Sequence, residues 1–239
     1  MRTNKSILIV GVGGLGVPAA LAIARAKAVA RVGLIDSDPV ELTNLHRQII
    51  YTDSDIGQPK VEAAARHLRE IDAALEVETF ATTLEVDNAR ELIGRFDFII
   101  DGTDNPATKF LINDVAIVTA TSFAYGGVLG MSGQAMTVLP GRTACLRCLF
   151  EDAPNPDDVA SCREAGILGP VAGAIGTLQA REALAIVAGR ASELAGGILT
   201  YDAAGSPRVR VTRVTPRPRC GCGAFERASG VTTHAQVNH

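Results

Sequence analysis

The sequence predicts an α/β fold: a Rossmann-like, doubly wound, mainly parallel sheet that ends in antiparallel C-terminal strands. Two observations carry this reading. Short apolar runs rich in Val and Ile stop at glycine or an acid, and helical stretches follow them across brief links. In the last third the pattern changes to β-rich runs joined by glycine-rich turns.

The elements follow in order. Residues 6–10 form an apolar run that stops at Gly11, which reads as a buried parallel strand. The glycine cluster 11–16 leads into a small-residue helix over 17–27, with Pro18 in a first turn whose amides lack intrahelical partners anyway. Residues 31–36 make a second strand ending in Asp36, which completes a βαβ unit. Residues 38–58 are polar and irregular. A helix over 60–71 places Val61, Ala64, Ala65, Leu68 and Ile71 on one face. A strand (75–80), a helix (87–93), a strand (96–101) and a helix (106–118) come next. Residues 121–129 and 134–139 read as paired strands, and 145–168, with Pro154, Pro156 and many acids, reads as a surface loop. A helix over 171–187 precedes strands at 198–202 and 208–214, and the tail beyond Phe225 is polar. With no repeat and no linker, residues 1–239 read as a single domain.

Composition bounds the function. The 239 residues are 47% hydrophobic and 21% charged, which fits a globular chain with a sizeable core. A net charge of −3 without blocks of like charge argues against nucleic acid or an anionic membrane as partner. No signal-peptide pattern opens the chain and no apolar run approaches the roughly 20 residues of a membrane span, so a cytoplasmic location is expected.

The glycine cluster suggests a nucleotide site. Gly11, Gly13, Gly14 and Gly16 let backbone approach a phosphate, and the helix behind them offers free amides. Asp36 stands 20 residues after Gly16, a spacing at which an acid accepts ribose hydroxyls. Alone, this pattern reads most simply as NAD binding. Asn44-Leu-His-Arg47, Gln58-Pro-Lys60 and Asp101-Gly-Thr-Asp-Asn105 argue otherwise. A hydride-transfer site needs no such cations, whereas a triphosphate does: Arg grips phosphate bidentately, Lys supplies a compact charge, and Asp can hold Mg²⁺. Singly each residue could be a solvated surface charge, and the weight lies in the conjunction.

Four cysteines fall in two close pairs, Cys145/Cys148 and Cys220/Cys222, and four thiolates suffice for a closed structural Zn²⁺ site. Thiols without metal are the alternative.

At this point the chain resembles the ThiF/MoeB/HesA adenylyltransferases, bacterial relatives of the ubiquitin-activating enzymes. The resemblance rests on Gly11-x-Gly-Gly-Leu-Gly16, Asp36-Ser-Asp38, Asn44-Leu-His-Arg-Gln48, Gly57-Gln-Pro-Lys60 and Asp104-Asn105. It rests also on Cys145-x-x-Cys148, on the run from Cys162 to Pro170 and on that from Gly176 to Glu182. It implies ATP rather than NAD, with Gly14 at the phosphates, Asp36 on the ribose, and Asn44, Arg47 and Lys60 around the triphosphate. It makes Asp104 the Mg²⁺ ligand and sets Asn105 beside the nucleotide. The implied reaction joins the C-terminal carboxylate of a ubiquitin-like sulfur-carrier protein ending in Gly-Gly to the α-phosphate, giving an acyl-adenylate and pyrophosphate. A homodimer is implied too. Cys162 matches a position used for sulfur chemistry in thiamine-pathway members, and an idle loop cysteine is the other reading.

Two departures stand out. The second cysteine pair is C-x-C where the family has C-x-x-C. The helix that in the family precedes the first strand and lends an Arg to the partner subunit has no counterpart here, and Arg2 is the nearest arginine. Rival functions are therefore an NAD-dependent oxidoreductase and a pseudoenzyme that binds a ubiquitin-like partner without activating it.

Overall fold

Strands and helices alternate along the chain in the computed structural model, which describes residues 2–153, 166–218 and 220–223. The elements are β1 (Thr3–Val10), α1 (Gly16–Ala26), β2 (Val29–Ile35), α2 (Lys60–Ile71), β3 (Glu76–Phe80), α3 (Val86–Gly94) and β4 (Phe98–Asp101). They continue through α4 (Pro106–Val118), β5 (Ser122–Leu129), β6 (Ser132–Val138), the single turn α5 (Leu146–Leu149), α6 (Gly169–Val187), β7 (Gly197–Asp202) and β8 (Val209–Arg213). One eight-stranded sheet runs in the order β3-β2-β1-β4-β5-β6-β7-β8. The first five are parallel and the last three antiparallel.

The central strands read as continuous apolar runs because both faces are covered. Ile7, Ile9, Val32, Leu34 and Phe98 pack toward α1 and α2, while Leu8, Val10, Ile99 and Phe123 pack toward α3 and α4. Helix α6, placed by the sequence at 171–187, starts two residues earlier at Gly169.

The strand order reverses between β1 and β4, where open α/β sheets hold their ligands. Backbones meet closely there. A Cβ on Gly16 would lie 1.9 Å from the Gly11 carbonyl oxygen, and one on Gly102 would lie 2.7 Å from the same atom. Gly11 also has φ +85°. These three glycines are fixed by packing and backbone conformation.

The irregular stretch between β2 and α2 is an ordered excursion. It carries 3₁₀ turns at Leu42–Asn44 and Asp53–Asp55 and closes by an isolated bridge between Pro39 and Pro59. That closure returns the chain to where it left, so Lys60 begins α2 beside Asp38, whose carbonyl accepts its N–H at 3.0 Å.

Candidate functional site

Parallel β1, β2 and β4 bring Gly11, Asp36 and residues 102–105 to one edge of the sheet. Each polar cluster named from the sequence lies on or beside that edge.

Asp36 holds the glycine turn. Its Oδ2 accepts the Val12 N–H at 2.8 Å and its Oδ1 accepts the Asp38 N–H at 2.9 Å. Burial raises its pKa above the ordinary carboxylate value, and Lys60 and the two amides offset this only in part. Lys60, 5% exposed, sets its Nζ 2.8 Å from Asp38 Oδ2 and 3.9 Å from Asp36 Oδ1. A buried ammonium needs such partners.

Arg47 stands on the other wall. Its guanidinium donates to Asn44 Oδ1 at 2.7 Å and to the Thr43 carbonyl at 3.2 Å, which keeps the side chain against the turn. A Cβ on Gly14 would meet Arg47 Cδ at 3.7 Å and Ala172 Cβ at 3.6 Å; one on Gly13 would meet Gln48 Nε2 at 3.6 Å. Those are ordinary contacts, and neither glycine has positive φ. Nothing among the described residues therefore demands glycine at 13 or 14. Glycine costs chain entropy, and here it leaves a bare backbone between Arg47, Gln48 and the start of α6.

Beyond β4, Asp104 is exposed and makes no hydrogen bond or ion pair among the described residues. Asn105 caps α4, its Oδ1 accepting from Ala107 N at 2.8 Å, with Pro106 just inside the helix. Arg2 is not near this edge. It pairs with Asp72 and the Ala74 carbonyl beside the start of β1, at the opposite end of the strands. Cys162 lies outside the described residues.

Sequence reasoning named Asp101 and Gln48 within polar motifs but missed their surroundings, and it missed Lys109 and Tyr51 altogether. Asp101 is fully buried, and Lys109 Nζ pairs with it at 3.0 Å while donating to the Gly126 carbonyl at 2.6 Å. An acid ending a wholly apolar strand was the available signal, since it requires a cation. Tyr51 donates its hydroxyl to the Val12 carbonyl at 2.9 Å, and burial first, then Asp36 and Asp55, raises its pKa. Gln48, 3% exposed, leaves Oε1 without a partner beside the glycine turn.

The second cluster is sulfur. Cys145, Cys148, Cys220 and Cys222 bring all four Sγ atoms within 4.8 Å of one another. Cys145 lies 3.5 Å from Cys220, and Cys148 lies 3.4 Å from Cys222 and 4.0 Å from Cys145. A tetrahedron with metal–sulfur bonds of about 2.3 Å has edges of about 3.8 Å, so the donor set fits Zn²⁺. The one-turn α5, inside the stretch expected to be a surface loop, carries Cys148, and the shorter C-x-C pair still reaches it.

The ThiF family profile matches residues 2–224. The chain belongs to the ThiF family. Among curated relatives, the adenylyltransferase and sulfurtransferase MOCS3 of Culex quinquefasciatus is 41% identical over 199 residues, covering 83% of this chain and 45% of that protein. The sulfur carrier protein adenylyltransferase of Thermus thermophilus is 38% identical over 226 residues, covering 92% of this chain and 83% of its own length. The chain thus spans about half the length of the MOCS3 relatives it matches. Among solved structures, E. coli MccB with ATP superimposes with a TM-score of 0.78 at 18% identity, over 92% of this chain and 66% of MccB. That likeness concerns the fold. Among the described residues no helix is long and apolar enough to cross a membrane.

Proposed function

We propose that this ThiF-family protein adenylylates the C-terminal glycine carboxylate of a ubiquitin-like sulfur-carrier protein, using ATP and releasing pyrophosphate. The observation that carries the reading is the pair Gly13–Gly14: a bare turn that no protein contact requires, walled by the guanidinium stem of Arg47 and facing the buried amide of Gln48. The names of the curated relatives support the same activity.

In this reading Gly11, Gly13, Gly14 and Gly16 form the turn that receives the phosphates, and Asp36 offers its remaining lone pairs to the ribose. Asp38 holds Lys60 until the triphosphate takes the ammonium from it, and Asn44 aims Arg47. Asp104, the free carboxylate beyond β4, would hold Mg²⁺, with Asn105 fixing the start of α4 beside it. Bound Mg²⁺ supplies positive charge that offsets the triphosphate. The carboxylate of the carrier and the α-phosphate are both anionic, so Arg47 and Lys60 lower the barrier chiefly by neutralising charge as the new P–O bond forms and pyrophosphate leaves. Structural Zn²⁺ held by Cys145, Cys148, Cys220 and Cys222 would tie the turn after β6 to the C-terminal segment. Cys162 is the candidate for any covalent sulfur-transfer step after adenylation. The arginine that family members lend to the partner subunit would come from Arg2 of a second copy in a homodimer or from another protein, since Arg2 lies far from the glycine turn of its own chain.

The test is exchange of labelled pyrophosphate into ATP in the presence of carrier proteins ending in Gly-Gly. Carrier-dependent exchange is the expected result. Purified protein that carries bound nicotinamide, or that binds ATP without exchange for every carrier supplied, overturns the proposal.

A further inference from the structure

A second cleft opens at the edge of the sheet opposite the glycine turn. It lies between the start of β5, the end of β6 and the end of α6, and has a volume of about 360 Å³, within the roughly 300–1,000 Å³ of small-molecule sites. Arg142 and Arg190 line it with Ser122, Leu139, Pro140 and Ile186, and no carboxylate is in its lining.

Both arginines are delivered by left-handed turns. Gly189, at φ +70°, closes α6: its N–H bonds the Ile186 carbonyl at 2.9 Å, and the Arg190 N–H bonds the Ala185 carbonyl at 2.8 Å. Gly141, at φ +74°, precedes Arg142, whose N–H bonds the Leu139 carbonyl at 3.0 Å. The last carbonyls of α6 are thus met by backbone, and neither guanidinium is engaged among the described residues. No described acid pairs with Arg142 or Arg190, although other arginines of this chain are paired, among them Arg31, Arg95 and Arg147.

Helix-end stabilisation accounts for a cation at 190, one turn past α6. It does not account for Arg142, which comes from the β6 side. Both arginines are exposed and line one concave surface, and a guanidinium pair there suits the oxygens of a phosphate or carboxylate. The Leu139, Pro140 and Ile186 walls suit an apolar body attached to that anion.

We propose that this cleft is a second ligand site, separate from the glycine turn, for a small organic anion: a phosphate monoester or carboxylate carrying an apolar group. The inference does not depend on the adenylylation reading.

Calorimetric titration of phenyl phosphate into the full chain tests it, with the glycine turn first saturated by AMPCPP. Saturable binding at one site is expected, weakened at least about tenfold in the R142Q/R190Q variant, as loss of charge-assisted hydrogen bonds implies. Melting temperature and AMPCPP binding of that variant should match the parent; if it does not fold, R142Q and R190Q singly carry the comparison. Benzoate in place of phenyl phosphate shows whether phosphate or carboxylate is preferred, and binding of either supports the site. No saturable binding, equal binding to the double variant, or inorganic phosphate binding as tightly as phenyl phosphate overturns the proposal. Failure of AMPCPP to bind would count against the adenylylation reading and leave this one standing.

Discussion

Lys60 and Asp38 face each other across the first turn of α2, with Nζ 2.8 Å from Oδ2. Asp38 is exposed while Lys60 is buried, so a triphosphate can take the ammonium and leave the carboxylate to water. Lys60→Met should lower pyrophosphate exchange on the order of 10²- to 10³-fold. Asp38→Asn should cost far less. Near-normal exchange in Lys60→Met would remove Lys60 from the catalytic machinery.

The glycines separate into two kinds. Gly14→Ala adds a methyl group at ordinary contact distance, so the fold should keep its stability or gain about 0.4–1 kcal/mol while ATP affinity falls. Gly16→Ala drives a methyl group to 1.9 Å from the Gly11 carbonyl oxygen and should prevent folding. Titration of ATP into Gly14→Ala decides the matter: unchanged affinity would mean that the turn does not seat phosphates.

Asp104→Ala should abolish carrier-dependent exchange and leave thermal stability within about 0.5 kcal/mol of the parent, because the side chain is exposed and unpaired among the described residues. Surviving exchange assigns the metal to another group.

Zinc should be found at one ion per chain by elemental analysis, and a strong chelator should lower the melting temperature. Cys222→Ser should lose both the zinc and the chelator response. A melting curve indifferent to chelation would show that the four thiols stand without structural metal.

Asp55 gives a pH signature. Burial would raise its pKa, but the hydrogen bond from His67, the Thr52 N–H and the Thr52 hydroxyl together lower it from 3.8 to about 2. A lowered carboxylate pKa contributes stability above the unfolded value and loses it as pH falls through the folded value. The window is therefore pH 4 down to 2, and the contribution above it is about 2 kcal/mol. Denaturant melts of the parent and Asp55→Asn should differ most at pH 6 and converge near pH 2; a constant gap would refute the assignment.

The strands were legible because the central ones end in apolar runs that stop at glycine or acid, as at Val10–Gly11 and Ile35–Asp36. The polar clusters were legible by residue type, but their partners were not. That Asp101 meets Lys109, or that Tyr51 reaches the Val12 carbonyl, depends on strands and helices that are neighbours only after folding. Asn105 could have been read as a cap from Asn-Pro alone. The glycine pattern did not reveal which members serve packing, since Gly11, Gly16 and Gly102 lock against one another across 91 residues of sequence, and only coordinates separate them from Gly13 and Gly14. Arg2 was the nearest arginine in sequence to the first strand but sits at the wrong end of it.

Asp36 has one further consequence. Each of its oxygens already braces an amide, Val12 on one side and Asp38 on the other. Replacing it to change which sugar the pocket favours would also slacken the loop that precedes α1. Nucleotide preference and loop rigidity are thus tied to a single carboxylate, and any redesign of the first must find a new strut for the second.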